Sequence, residues 1–124
     1  MKKSGILNAE LSGLVAGLGH GDLLVIGDAG LPVPPGVPCI DLAVRVGVPR
    51  FSEVLETVLT EMCVESAVIA AEAGAEVRGW VSALSPDEVS HEAFKARSAE
   101  AVAVVRTGEA TPYANVGLVA GVVF

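Results

Sequence analysis

The stretch that decides the fold runs Leu23-Leu24-Val25-Ile26-Gly27-Asp28-Ala29-Gly30-Leu31-Pro32. It opens with an uninterrupted apolar run, which is typical of a strand buried on both faces in a parallel sheet. It leads into a segment, residues 28–38, that holds four prolines and two glycines. Neither residue type continues a helix or a central strand, so this segment is predicted to be a stiff, ordered loop. Asp28 therefore stands at the carboxyl end of a strand, where parallel α/β sheets bind ligands.

Helical and strand patterns alternate on both sides of this stretch. Before it, Asn8 is placed to cap a helix with an apolar stripe, and a glycine at 19 or 21 is expected to stop that helix. After it, the spacing predicts a strand over 39–44, a helix over 51–62, a strand over 64–71, a helix over about 91–106 that Gly108 stops, and a strand over 116–123. This alternation predicts one α/β domain, residues 1–124, with a mostly parallel sheet.

The pattern between residues 74 and 89 leaves an alternative open. Ser85-Pro86-Asp87-Glu88 has the composition of a capping box with proline at the first helical position. A helix that begins at Ser90 or His91 competes with it. The following segment, Arg106-Thr107-Gly108-Glu109, is predicted to be a helix end that carries an exposed ion pair.

Composition and charge exclude several classes of function. The 124 residues are 52% hydrophobic with a mean hydropathy of +0.59, which is too apolar for disorder and predicts burial of surplus apolar surface in a homo-oligomer. A net charge of −7 with scattered lysines and arginines argues against a nucleic-acid partner. No apolar run reaches the roughly 18–20 residues of a membrane helix, and polar residues interrupt any signal-peptide core after Met1-Lys2-Lys3. We expect no membrane partner and a cytoplasmic location.

The glycines and cysteines give little support to nucleotide, metal or redox chemistry. Gly17, Gly19 and Gly21 follow a helix and precede a strand, the reverse of the order in dinucleotide-binding folds. Cys39 and Cys63 lack the spacing of a zinc site or a redox pair, and we expect both to be free buried thiols. We therefore expect neither a metal nor a cofactor.

Five polar residues are candidates for a site, and each also has a structural interpretation. His20 can be a structural cation that interacts with a helix dipole. It can equally be a general acid or base whose ring a substrate approaches closely, because both its neighbours are glycines. Asp28 suits a turn or a ligand site. His91 alone suggests only a surface residue at the start of a helix. Tyr113 and Asn115 offer donors and acceptors suited to sugar hydroxyls and are equally common in loops.

Five motifs in register resemble the D-ribose pyranase family. They are Leu18-Gly19-His20-Gly21-Asp22, Asp28-Ala29-Gly30-Leu31-Pro32-Val33-Pro34, Ser90-His91-Glu92-Ala93-Phe94-Lys95, Arg106-Thr107-Gly108-Glu109, and Pro112-Tyr113-Ala114-Asn115 with its tail Ala120-Gly121-Val122. The stretch between Gly74 and Val89 is shorter than in members of that family. The related fucose mutarotases share the His-Gly-Asp element but differ after the aspartate, so ribose is favoured. A mutarotase for fucose or another aldose, and a non-catalytic sugar-binding module, are the alternatives.

The resemblance implies a fold, an activity and a site. The implied fold is a three-layer α/β/α sandwich that assembles into ring-like homo-oligomers, such as a decamer of two pentamers, with active sites in clefts between subunits. The implied activity interconverts the β-pyranose and β-furanose forms of D-ribose without a cofactor. The implied roles are proton donation by His20 and substrate binding by Asp28, His91, Tyr113, Ala114 and Asn115, with Lys95 and Arg106 close by.

This activity needs only proton transfers. Opening a cyclic hemiacetal requires a proton on the ring oxygen and removal of one from the anomeric hydroxyl. An imidazole, whose ordinary pKa is about 6.5, gives and takes protons near neutral pH.

Overall fold

A computed structural model describes residues 1–124. Its helices are α1 (Ala9–Gly17), α2 (Phe51–Leu59), α3 (Ala75–Val81) and α4 (His91–Ser98), and a short 3-10 turn covers Ser82–Leu84. Its strands are β1 (Leu23–Gly27), β2 (Cys39–Asp41), β3 (Val64–Ala70), β4 (Asp87–Val89), β5 (Ala103–Arg106) and β6 (Val116–Ala120). None of the four helices combines the length and the hydrophobicity that a membrane span requires.

All six strands form one sheet in the order β2-β5-β1-β6-β3-β4. The pairs β1–β5, β2–β5 and β3–β4 are parallel, whereas β6 is antiparallel to both β1 and β3. Five strands therefore run one way and only β6 runs the other, which confirms the mostly parallel α/β sheet. The five strands end, and β6 begins, at one edge that we call the carboxyl edge. They begin, and β6 ends, at the opposite edge, which we call the amino edge.

Both faces of the sheet are covered, which gives three layers. Alternate residues of β1 point to opposite faces. Leu24 and Ile26 join the larger core cluster with residues of α1, α2 and α3. Leu23 and Val25 join a smaller cluster with Phe94 of α4 and with Leu31 of the proline-rich loop. The loop is thus held against the sheet by its own leucine.

Side-chain caps set the starts of two helices. The Oδ1 atom of Asn8 accepts a hydrogen bond from the Leu11 N–H at 2.9 Å, which confirms the predicted cap of α1, although α1 ends at Gly17 rather than at 19 or 21. Ser90 Oγ accepts from the Ala93 N–H at 3.1 Å and starts α4 at His91. Of the two starts left open by the sequence, this one is right. Ser85 instead adopts a left-handed conformation before β4.

The predicted helix over 91–106 is wrong. The helix ends at Ser98, and residues 103–106 form β5, an inner strand between β2 and β1. Ala103, Val104 and Val105 are buried between β1 and β2, and a run that is apolar on both faces fits a helix period as well as a strand. Gly108 consequently stops no helix. It lies against the 45–49 loop, where a Cβ would overlap the carbonyl oxygens of Val48 and Arg45.

Smaller expectations also need correction. The strands predicted over 39–44 and 116–123 end at 41 and 120. The two cysteines are free as expected, but Cys63 is exposed and Cys39 only partly buried.

Candidate active site

Asp28 and Asn115 meet at the carboxyl edge. Asp28 follows β1 and Asn115 precedes β6, and the pairing of Ile26 with Val116 brings the two strand ends together. The Asp28 N–H donates to Asn115 Oδ1 at 2.9 Å. The Asp28 carboxylate accepts the Gly30 N–H at 2.9 Å through Oδ1, which leaves Oδ2 without a protein donor. Asp28 thus lies at the strand end predicted from the sequence, and the antiparallel β6 brings Asn115 beside it.

The Asn115 amide is fully buried and only half satisfied. Its Oδ1 atom is fixed by the Asp28 N–H, and its Nδ2 atom has no hydrogen-bond partner. Gly27 makes room for this amide, since a Cβ there would lie 3.1 Å from Asn115 Oδ1 and 2.6 Å from Leu31 Cδ2. An unpaired buried polar group costs roughly 1–3 kcal/mol, so Asn115 holds a donor that a hydrogen-bonding ligand would satisfy.

His91 and Tyr113 lie together at the same edge. Their ring centroids are 5.0 Å apart in an edge-on arrangement. The His91 N–H donates to both carboxylate oxygens of Glu72, at 2.9 and 3.1 Å, and its Nδ1 atom is buried without a partner. Tyr113 has a φ of 60°, and the Asn115 N–H donates to its carbonyl oxygen at 2.8 Å. Ala114 between them is fully buried, and the Tyr113 side chain is partly buried against the larger core cluster.

A cleft of about 410 Å³ opens beside these residues. It is lined by Asp28, Ala29, Gly30, Glu109, Ala110, Thr111 and Pro112. A second cleft of about 510 Å³ shares the 109–112 loop and adds Trp80, Arg50 and Glu76. The loop is therefore a wall common to both clefts.

Glu109 anchors this loop, and sequence reasoning missed it by placing it on an exposed helix end. Its side chain is buried, accepting the Phe51 N–H at 3.1 Å and the Thr111 hydroxyl at 3.0 Å. Burial alone raises the pKa of Glu109, but the hydrogen bonds from Phe51 and Thr111 outweigh it and hold the pKa below its usual value. An ionised carboxylate thus ties the start of α2 to the cleft loop.

His20 lies at the other end of the sheet. The turn that carries it precedes β1, and the Gly21 N–H donates to the carbonyl of Ala120 at the end of β6 at 2.8 Å. The His20 Nε2 atom is 3.1 Å from Glu65 Oε1, and the side chains of His20 and Glu65 are 59% and 54% exposed. β1 alone spans about 13 Å at roughly 3.3 Å per residue. One chain therefore does not bring His20 to Asp28.

Lys95 and Arg106 are held by ion pairs. Lys95 contacts Glu92 of its own helix at 2.7 Å, and Arg106 pairs with Asp41 across β5 and β2. The hydrogen bond to Asp41 raises the pKa of Arg106, and the same bond lowers the pKa of Asp41. The Arg106 Nε atom is buried without a partner. No three His, Cys, Asp or Glu side chains gather closely enough to hold a metal ion.

Residues 1–123 match the model of the RbsD / FucU transport protein family. The chain belongs to this family. The RbsD / FucU relatives include a D-ribose pyranase of Paracidovorax citrulli (strain AAC00-1), 55% identical over 130 aligned positions that cover both chains completely. The solved structure of Bacillus subtilis RbsD complexed with D-ribose superimposes with a TM-score of 0.94 at 47% identity, over all of both chains.

A second solved structure is more distant. The fucose mutarotase of Streptococcus pneumoniae, solved in complex with L-fucose, superimposes with a TM-score of 0.79 at 25% identity, over all of both chains. The resemblance expected from the five motifs is thus confirmed over the whole chain.

Proposed function

We propose that this chain is a D-ribose pyranase, which interconverts the β-pyranose and β-furanose forms of D-ribose. The observation that carries the proposal is the likeness to Bacillus subtilis RbsD, whose structure contains D-ribose, at 47% identity and a TM-score of 0.94 along the whole chain. The curated relative at 55% identity bears the same activity in its name.

The carboxyl edge is the proposed sugar-binding half of the site. Asp28 Oδ2 is a free acceptor there, and Asn115 Nδ2 and His91 Nδ1 are buried atoms without partners. A sugar presents several hydroxyls that both donate and accept, which matches this mixed set. The Tyr113 hydroxyl is proposed to join this set, since the tyrosine ring packs edge-on against the His91 ring. Ala114, which the family resemblance also implies to bind substrate, is fully buried between Tyr113 and Asn115.

His20 is the proposed proton donor. It gives a proton to the ring oxygen while the bond from that oxygen to the anomeric carbon breaks, and the anomeric hydroxyl loses a proton as the aldehyde forms. Closure through a different hydroxyl reverses these transfers and yields the other ring size. Every bond change is balanced by proton movement, so the cycle draws on no electron acceptor.

A complete site then takes two copies of the chain. Each copy carries Asp28, Asn115 and His91 at the carboxyl edge and His20 at the amino edge, so the amino edge of one copy must face the carboxyl edge of another. A repeated contact of this head-to-tail kind closes into a ring when the rotation allows it. The segment after β6 supports such a contact, since Val123 and Phe124 are exposed apolar residues close to the amino edge. We therefore propose a ring-like homo-oligomer, for which a decamer of two pentamers is the specific prediction.

One experiment distinguishes D-ribose from L-fucose as the substrate and an enzyme from a sugar-binding module. NMR saturation transfer measures exchange between the ring forms of D-ribose and of L-fucose in the presence of the protein. We expect exchange of ribose, loss of about a hundredfold or more of that exchange in His20→Ala, and ribose affinity that changes little. Glu56→Gln, an exposed substitution on α2, is the control and should behave as the unchanged protein.

Three outcomes would contradict the proposal in different ways. Full exchange in His20→Ala would remove the proton-donor role. Faster exchange of L-fucose than of D-ribose would favour a mutarotase of the kind found in Streptococcus pneumoniae. Ribose binding without any exchange would favour a sugar-binding module. The cytoplasmic location stays a prediction from the sequence.

A further inference from the structure

We propose that Glu65 is a positioning residue that fixes the His20 ring and leaves its Nδ1 atom to exchange the proton. This inference rests on the proposed function, in which His20 is the proton donor. It assigns a role to a residue that none of the five motifs contains. Glu65 lies near the start of β3, 45 positions away from His20 in the chain.

The contact itself assigns the roles of the two ring nitrogens. His20 Nε2 and Glu65 Oε1 are 3.1 Å apart. An ionised carboxylate only accepts hydrogen bonds, so the ring must donate through Nε2–H. The proton on a neutral ring then resides on Nε2, and Nδ1 is the nitrogen that remains free for the sugar.

Without Glu65 little would hold this ring. His20 is flanked by Gly19 and Gly21, Gly21 has a φ of 87°, and the imidazole makes no other hydrogen bond. The histidine therefore sits in a turn with small neighbours and more than half of its side chain exposed. A mobile ring spends only part of its time in the orientation that proton transfer requires.

Glu65, in contrast, belongs to a strand of the sheet. β3 pairs with β6 from Val64 to Val68, and the register shifts between Val64 and Ser66, which places Glu65 at a bulge. The Gly121 N–H donates to the Cys63 carbonyl at 2.9 Å just beyond the end of β6 and closes the pairing there. A Cβ at Gly121 would lie 3.1 Å from Glu65 Cβ, so the missing side chain lets the two segments approach closely at this point. The sheet thus presents the carboxylate to the turn that carries His20.

The proton balance is simple with this arrangement. Nδ1–H of the imidazolium passes its proton to the ring oxygen of the sugar as the bond from that oxygen to the anomeric carbon breaks. The anomeric hydroxyl releases its proton to water and becomes the carbonyl. The Nε2–H proton stays on His20 throughout and keeps its hydrogen bond to Glu65, so the carboxylate takes no part in the transfer. Closure returns a proton from the attacking hydroxyl to Nδ1 and one from water to the carbonyl oxygen.

Glu65→Ala and Glu65→Gln test the proposal through kinetics. Because the pair is half exposed, we expect kcat for ribose ring exchange to fall about tenfold in Glu65→Ala, with KM changed less than about twofold. Glu65→Gln keeps an acceptor oxygen, so its kcat should lie between that of Glu65→Ala and that of the unchanged protein. Glu56→Gln removes a charge from another exposed glutamate and should leave both constants unchanged.

A double variant separates an action through His20 from a general effect. If Glu65 acts only through the imidazole, adding Glu65→Ala to His20→Ala causes no further loss. A further tenfold loss in that background, or an unchanged kcat in Glu65→Ala alone, would overturn the proposal.

Ring-nitrogen NMR reads the contact independently of activity. The chain has only two histidines, so ¹⁵N-histidine labelling gives two rings, and His20→Ala assigns them. We expect the neutral His20 ring to show a protonated Nε2, and its nitrogen shifts to move in Glu65→Ala but not in Glu56→Gln. Unmoved shifts in Glu65→Ala would refute the contact even if the chain proved to have no pyranase activity, and that inactivity alone would refute only the proposed function.

Discussion

Replacing Glu109 by glutamine tests whether its charge anchors the cleft loop. The carboxylate accepts the Phe51 N–H at 3.1 Å and the Thr111 hydroxyl at 3.0 Å. Hydrogen bonds to a charged group contribute about 1.5–3 kcal/mol and those to a neutral group about 0.5–1.5 kcal/mol, so neutralising two such bonds costs about 2 kcal/mol. The glutamine amide also turns a donor toward Thr111, whose N–H already points at the carboxylate.

Urea unfolding measures this cost at pH 7, with Glu56→Gln as the control because it removes one charge from α2 without breaking a contact. We expect the free energy of unfolding to fall by about 2 kcal/mol in Glu109→Gln and by less than about 0.5 kcal/mol in the control. Ribose KM should rise, since the loop that Glu109 ties to α2 lines the cleft beside Asp28.

The pH dependence gives a second check on the same substitution. The pKa of Glu109 is lower in the folded chain than its usual value. Its stabilisation is therefore complete above the pKa of an unfolded glutamate, about 4.3, and is lost as the pH falls through the lower folded value. The difference in the free energy of unfolding between Glu109→Gln and the unchanged protein should therefore become smaller over that acid range. A difference below about 0.5 kcal/mol at pH 7, or one that stays the same below the folded pKa, would refute the claim that the Glu109 charge anchors the loop.

The remaining predictions concern one close approach and one buried amide. Gly108→Ala should lower the free energy of unfolding by about 2 kcal/mol or more, because the new Cβ overlaps the Val48 carbonyl. Gly13→Ala lies in open space within α1 and should raise the free energy of unfolding by up to about 1 kcal/mol. Similar melting temperatures for the two variants would contradict this. Asn115→Ala should cost about 1–3 kcal/mol by leaving the Asp28 N–H unpaired, and should also weaken ribose binding in calorimetry. Unchanged affinity would exclude Asn115 from the sugar site.

The strand that ends before Asp28 could be predicted from the sequence, and the strand over residues 103–106 could not. The apolar run at Leu23 ends visibly at Asp28, so this part of the carboxyl edge was predictable. The run at Ala103 follows a helix without a glycine or proline between them, and its apolar residues keep helical spacing with Phe94. Periodicity alone does not separate a central strand from a helix in such a case. Only the pairing with β1 and β2 decides it.

The candidate residues could be named from the sequence, but their positions in the fold could not. Nothing in the sequence places Glu65 or Glu109, since each acts through a contact with a residue more than 40 positions away. The five residues of β1 between His20 and Asp28 did carry a signal, because a strand of that length separates its two ends. That signal agrees with the cleft between subunits that the family resemblance implied.

On the proposed two-copy site, the separation of His20 from Asp28 along β1 makes the turnover rate depend on the protein concentration. If each reaction centre joins two edges from different copies, a dispersed chain holds its fold and has no complete centre. Specific activity would then fall on dilution toward the dissociation constant of the assembly, with no unfolding, and a substitution at a subunit contact would lower the rate as if the enzyme had been diluted.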